Sequence, residues 1–254
     1  MNLTDANYFS PLAHAEYMSV SSYNGWLECA ERQAAIDTGR HRVENDAMLA
    51  GTICHCAVLE PHKLPALLAE REAEVAKRGG GLRAPFEQAL EMGKRVTTSP
   101  GFDSLFSGCQ FEQIVTGILG GVKWKGKIDA MNKSLGYFYD LKTTADFAPC
   151  WTRQDGRNVQ VAWYSRYWPQ MAVYWHLTGL LPVIIGVSKQ TPAGLQVVEF
   201  GEARLAAELE RIRENLPTVV RRKAGEEQHA CGTCEWCRGQ QTVESAMRSA
   251  VVAE

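Results

Sequence analysis

No apolar run in the 254 residues is long enough to span a bilayer; the longest uncharged one is LLPVIIGV at 180–187. The amino-terminal stretch MNLTDANYFS lacks a basic segment followed by an apolar core, so no export signal and no membrane partner are expected, and the cytoplasm is the expected compartment. There is no internal repeat and no low-complexity tract, so nothing points to a repeat solenoid. Charge of either sign is not in excess: 27 basic against 29 acidic residues leave a net −2. Any polyanionic partner must therefore be held by a local patch rather than by the field of the whole chain. Cysteine is not scarce, with eight residues, but a reducing compartment disfavours disulfides and makes their grouping the informative feature.

The chain is 45% apolar and 22% charged, an ordinary composition for a soluble folded protein. Residues 19–37 read as one helix begun by Ser21 or Ser22, carrying an apolar stripe of Trp26, Leu27 and Ala30 and also Cys29. A second helix is predicted over 46–60, stopped by Pro61, and a third over about 62–77, ended by Gly79, Gly80 and Gly81. From Phe111 the period changes to two in FEQIVTGI, GVKWKGKIDAM and GYFYDLKTT, a strand meander. Helix is expected again over 158–178, then the strands LPVIIGVSK and LQVVEF, then an amphipathic helix over 201–223 with Leu205, Leu209, Ile212 and Leu216 at helical spacing. This order predicts an α/β fold in which a mixed central sheet is flanked by helices. One domain is expected over 1–254, with a helical part at 1–110, a core at 111–200 and a closing segment at 201–254.

The stretch WKGKIDAMNKSLGYFYDLKTTADF (124–147) poses the chemical question. Side chains alternate along a strand, so Asp140 and Lys142 share a face. With the turn near Ser134 and Leu135, Asp129 lies almost opposite Asp140. Two carboxylates at that distance repel unless one keeps a proton or a cation lies between them. A hard divalent cation such as Mg²⁺ suits such oxygen ligands, and a lysine two residues on can orient water or offset developing negative charge, as phosphodiester hydrolysis requires. A solvated hairpin whose acids pair with lysines across the strands would place the same charges.

GTICH (51–55), GKIDA (126–130), DLKT (140–143) and QMAVY (170–174), in that order, resemble the PD-(D/E)XK nuclease superfamily in its RecB-like branch, and most of all the RecE-like (exodeoxyribonuclease VIII-like) phage exonucleases. The resemblance covers about 19–200 and implies a restriction-endonuclease-like core. It implies that His55, Asp129, Asp140 and the main-chain carbonyl of Leu141 hold Mg²⁺ or Mn²⁺, that Lys142 is the catalytic lysine, and that Glu112 in FEQ stands where relatives carry another acid. Gln170 and Tyr174, four apart on a helix, are expected at the DNA. Lys123, Lys125 and Lys127 alternate with Asp129 on one strand face and would offer phosphates a basic approach. Aromatic residues between 151 and 175, with Arg153, Arg157 and Arg166 among them, could stack on unpaired bases near a strand end, although most belong to a core.

The resemblance further implies 5′ to 3′ resection of linear duplex DNA in a bacterial or phage-infected cell, a single-stranded product taken up by an annealing protein, and a ring-like homo-oligomer. A CRISPR-adaptation-type end-trimming nuclease and a non-catalytic DNA-end-binding module are the alternatives.

CGTCEWC spaces Cys231, Cys234 and Cys237 by three, a pattern that points thiolates at one centre. Cys29 is the natural fourth ligand. Several RecB-like nucleases are similar in having one cysteine before the core and three after it on an iron–sulfur cluster, which implies a four-iron, four-sulfur cluster here. Structural zinc, with His229 as another ligand candidate, is the alternative. Cys54 and Cys56 flank His55, each one position from it and two from each other; on a helix such neighbours diverge, so both are expected to be structural.

Overall fold

The computed structural model describes residues 1–154 and 157–244. Its principal elements are α1 (Val20–Glu28), α2 (Ala30–Asp37), α3 (Asp46–Leu59), α4 (Ala84–Thr97), β1 (Gln110–Leu119), β2 (Val122–Asn132) and β3 (Tyr137–Thr144). There follow β4 (Cys150–Gln154), β5 (Arg157–Val161), α5 (Trp168–Thr178), β6 (Leu181–Ser188), β7 (Leu195–Glu199), α6 (Glu202–Lys223) and α7 (Glu235–Gly239). No helix among the described residues is long and apolar enough to cross a membrane.

Five strands form one mixed sheet in the order β1-β2-β3-β6-β7, with β2 antiparallel to β3, β3 parallel to β6 and β6 antiparallel to β7. The expected α/β architecture is therefore present. Two compact units draw on separated stretches of sequence: the first on residues 1–43, 118–125 and 211–254, the second on 44–117 and 126–210.

In the second unit α3 and α4 bring Leu49, Ile53, Phe86, Met92 and Val96 into one cluster with Tyr139, Leu141, Val183 and Ile185 of the sheet. Asn45 caps α3 by accepting the Met48 N–H, and Gly93 lets α4 approach closely, since a Cβ there would meet the Ala57 Cβ at 3.0 Å. Helix α4 was not anticipated from the sequence, although Phe86, Ala89, Gly93 and Val96 recur at helical spacing and Pro85 sits at its start.

Two further expectations need correction. Residues 150–154 and 157–161 pair as the separate strands β4 and β5, because the alternation of Asn158, Val159, Gln160 and Val161 is a strand signal; α5 begins only at Trp168, with Pro169 in its first turn. Residues 62–77 divide into two short helices, Leu64–Glu70 and Glu72–Val75.

In the first unit the predicted helix over 19–37 is broken. Ser19, not Ser21 or Ser22, is the N-cap, its Oγ accepting the Ser22 N–H. Cys29, with φ −159° and ψ 100°, ends α1 and begins α2. Tyr23, Trp26, Trp124, Ile212, Leu216 and Val219 are buried in this unit, and a parallel bridge joins Met18 to Trp124.

Candidate active site

The β2–β3 ladder runs from Asn132 and Tyr137 to Ala130 and Tyr139. One step on, the Leu141 N–H donates to Asp129 Oδ2 at 2.8 Å. A carboxylate has thus taken the place of a ladder partner, and Asp129 is fastened to the strand that carries Asp140 and Lys142. The turn occupies Lys133 to Gly136, where the sequence located it.

The β3 side chains on one face meet successive turns of the chain through α5. Phe138 contacts Tyr174 (ring centroids 6.0 Å), Asp140 Oδ1 accepts from Gln170 Nε2 at 2.9 Å, and Lys142 Nζ stands 4.9 Å from the Tyr167 ring. Two residues along a strand advance by about 6.6 Å and one helical turn by about 5.4 Å, so the two repeats stay nearly in step. The Gln170 Nε2 group is thereby engaged by the acid.

Tyr174, at 8% exposure, packs on Phe138 and over Gly126, where a Cβ would meet its Cε1 at 2.5 Å. Tyr167 is the site neighbour that sequence reasoning missed, though its place one turn before Gln170 was a usable signal.

Lys142 Nζ lies 2.6 Å from Asp140 Oδ2. That buried oxygen is held by the ammonium and, having two lone pairs, retains a second acceptor direction. His55, from α3, brings Nδ1 to 3.4 Å of Asp129 Oδ2. Glu112 pairs with Lys127 at 2.7 Å and has a φ of 54°, alone among the described non-glycine residues in the left-handed region. Such a conformation costs of order 1–3 kcal/mol and is often retained at functional positions.

The lysine expectation holds its shape only in part. Lys127 reaches Glu112, but Lys125 is buried with its Nζ on the Tyr8 carbonyl, and Lys123 pairs with Glu16 at 2.9 Å. Strand alternation gave all three one direction, but what each meets is set by residues distant in sequence: Glu16, Tyr8 and Glu112. Cys54, on α3, is buried in the core shared by the helices and the sheet. Trp151 is 70% exposed on β4, whereas Trp163 is buried; the Arg153 side chain lies outside the described residues.

Burial raises Asp129 and Asp140 to about 6 each, against the opposing field of Lys142. Burial, then Lys142, lowers His55 to about 4, so its imidazole is neutral and able to ligate near neutral pH. Burial alone would depress Lys142, but Asp140 and then Asp129 outweigh it and hold the ammonium charged.

The linkage follows from these directions. The raised carboxyls contribute stability that is full below their ordinary value of 3.8 and is lost as pH rises through about 6. The depressed His55 contributes stability present above its ordinary 6.5 and lost as pH falls through about 4.

The donor set fits a hard divalent cation: two buried carboxylates kept partly protonated without one, a neutral imidazole and a main-chain carbonyl. A cation must displace those protons. Mg²⁺ or Mn²⁺ should accordingly raise the unfolding temperature more at about pH 7.5 than at about pH 5, measured by scanning calorimetry; equal shifts at both would contradict these ligands.

In the first unit, Cys29, Cys231, Cys234 and Cys237 bring their sulfurs within 4.8 Å of one another. Among the described residues this is the group of His, Cys or acidic ligand atoms that converges so tightly; the acids around Asp140 are held more openly about Lys142.

A family model described as a PDDEXK-like domain of unknown function (DUF3799) matches residues 19–240. Among solved structures, a protein from Eubacterium rectale, described provisionally as an exonuclease, aligns with a TM-score of 0.86 and 30% identity over 96% of this chain and 95% of its own. The structure of SSO0001 aligns over 79% of the chain and 84% of its own at a TM-score of 0.32 and 14% identity, too slight a likeness to bear on fold or function. No curated protein matches the chain.

Proposed function

Since the chain belongs to the PDDEXK-like family DUF3799, we propose that it is a divalent-metal-dependent exonuclease acting on the ends of linear duplex DNA. The observation that carries the reading is the meeting of Asp129, Asp140, Lys142 and His55 where β2 and β3 part. His55, Asp129, Asp140 and the Leu141 carbonyl would hold the cation, with Glu112 beside them. When bound, Mg²⁺ or Mn²⁺ polarises the scissile phosphate and makes the attacking water easier to deprotonate.

The remaining work falls to the chain's own groups. Lys142, kept as an ammonium, has no lone pair with which to act as a base, so it donates: to the attacking oxygen, orienting it, or to a phosphate oxygen as negative charge grows. Gln170 fixes one oxygen of Asp140 and leaves the other toward Lys142. Tyr167 covers the ammonium and limits its access to water. Trp151, exposed on β4, offers a face for an unpaired base.

The 5′ to 3′ polarity, the 3′ single-stranded product, an annealing partner and a ring-like oligomer belong to this proposal through the RecE-like resemblance. The test is degradation of linear duplex labelled at either end, alongside covalently closed circles, with Mg²⁺ and with chelator. Loss of linear DNA only, from its 5′ ends and only with cation, is the expected result. Nicking of circles would replace the exonuclease reading with an endonuclease one, and trimming confined to short overhangs would favour the end-trimming alternative. Tight end binding without hydrolysis under any divalent cation would leave a binding module.

A further inference from the structure

The cysteine cluster permits an inference that does not depend on the nuclease reading. All four cysteines are free thiols and all lie in the first unit. Cys29 Sγ is 3.5 Å from Cys237 Sγ and 3.8 Å from Cys234 Sγ. Four thiolates around one ion, with metal–sulfur bonds of about 2.3 Å, form a tetrahedron whose edges are about 3.8 Å. The observed separations match such edges. A four-iron, four-sulfur cluster instead assigns each thiolate to a different iron, so the body of the cluster must fit between the cysteines. Four sulfurs within 4.8 Å of one another leave no room for it.

We propose that Cys29, Cys231, Cys234 and Cys237 bind a single tetrahedral Zn²⁺, in place of the iron–sulfur cluster that the RecB-like resemblance implies. All four coordination positions are filled by protein, which makes the site structural: it ties the segment at residue 29 to the segment at 231–237 within the first unit.

The surroundings suit anionic sulfur. The Cys234 N–H donates to Cys231 Sγ at 3.3 Å, the Cys237 N–H to Cys234 Sγ at 3.5 Å, and the Thr233 hydroxyl to Cys231 Sγ at 3.7 Å. Such outer hydrogen bonds orient ligands and stabilise their charge. Zn²⁺ with four thiolates carries a net −2, and Arg32 lies within electrostatic reach of Cys234. The break at Cys29 acquires its reason here, because an extended residue between two helices turns its side chain out of the helical stripe and toward the other sulfurs. His229 is engaged through its main chain, its carbonyl accepting the Glu31 N–H at 3.3 Å.

The test uses the full chain, purified anaerobically from cells supplied with both iron and zinc. The expected protein is colourless and contains zinc, without acid-labile sulfide. Exchange into Co²⁺ should produce the intense visible and sulfur-to-metal charge-transfer bands of tetrahedral thiolate coordination, which oxygen ligands around Asp140 would not give. Cys234→Ser should lose those charge-transfer bands or shift them. Should Cys→Ser variants fail to fold, the cobalt spectrum of the unaltered chain still decides. A brown protein with stoichiometric iron and sulfide, or a Co²⁺ spectrum without thiolate bands, would overturn the assignment. Loss of nuclease activity is not the readout, so failure here and failure of the exonuclease reading remain distinguishable.

Discussion

Lys142→Ala should cut Mg²⁺-dependent hydrolysis of linear duplex DNA by about 10²–10³-fold, the usual consequence of removing one donor aimed at developing charge. The substitution acts twice. It removes the ammonium that would meet the attacking or phosphate oxygen, and it removes the leading influence that opposes burial at both Asp129 and Asp140. Without it the two carboxyls hold their protons to a higher pH, so the acid limb of the cleavage profile moves upward.

The two effects separate experimentally. Lys142→Arg keeps the charge and should leave the acid limb near its original place, while the bulkier planar head, with Tyr167 on one side and Asp140 on the other, costs rate. Asp129→Ala should be at least as damaging, because it removes a ligand and also frees the Leu141 N–H that fastens the parting strands. Single-turnover rates across pH, with Mg²⁺ affinity measured by calorimetry, check all three. Unaltered rates in both Lys142→Ala and Asp129→Ala would remove the site from the mechanism.

Tyr174→Ala should destabilise the protein by about 3–5 kcal/mol, the range for deleting a buried aromatic side chain. Its ring fills the space above Gly126 and beside Phe138 and is nearly sealed from solvent. The companion change, Gly126→Ala, forces a methyl to within 2.5 Å of a ring that cannot swing aside, and should cost about 1–3 kcal/mol. Because the two act on the same space, Gly126→Ala should cost less in a Tyr174→Leu background than alone; independent sites would add.

Denaturant unfolding measures these values, and DNA affinity against salt supplies the control. A Tyr174 variant of native stability but weakened DNA binding would support the expectation that this residue contacts substrate. An intact salt slope with lowered stability supports the packing role.

How far the site could be read in advance depended on distance along the chain. The β2–β3 hairpin was legible because its turn chemistry and two-residue alternation are local, and they carried the approach of Asp129 to Asp140. The four-residue step from Gln170 to Tyr174 was legible for the same reason, as one helix stripe. What that stripe would meet was not: Asp140 and Phe138 lie some thirty residues earlier, and only the near match of strand and helix repeats brought each partner to its place. Helix α4 is not predicted from the sequence despite a regular apolar spacing, and β5 falls in a stretch that also reads as helix, because a five-residue strand offers too few periods to separate from a helical turn.

The sequence by itself determined the alternation of charge on β2 and β3, the helical stripes, the amphipathic character of α6 and the convergence of three cysteines at three-residue steps, since each follows from backbone periodicity over a few residues. Only the tertiary structure decided that Lys125 is buried while Lys127 meets Glu112, that Asp129 closes the ladder on the Leu141 N–H, and how closely four sulfurs approach. Direction along an element is a local property of the chain, but burial, titration and ligand spacing depend on what other segments bring to the same point, and short-range pattern contains no measure of that.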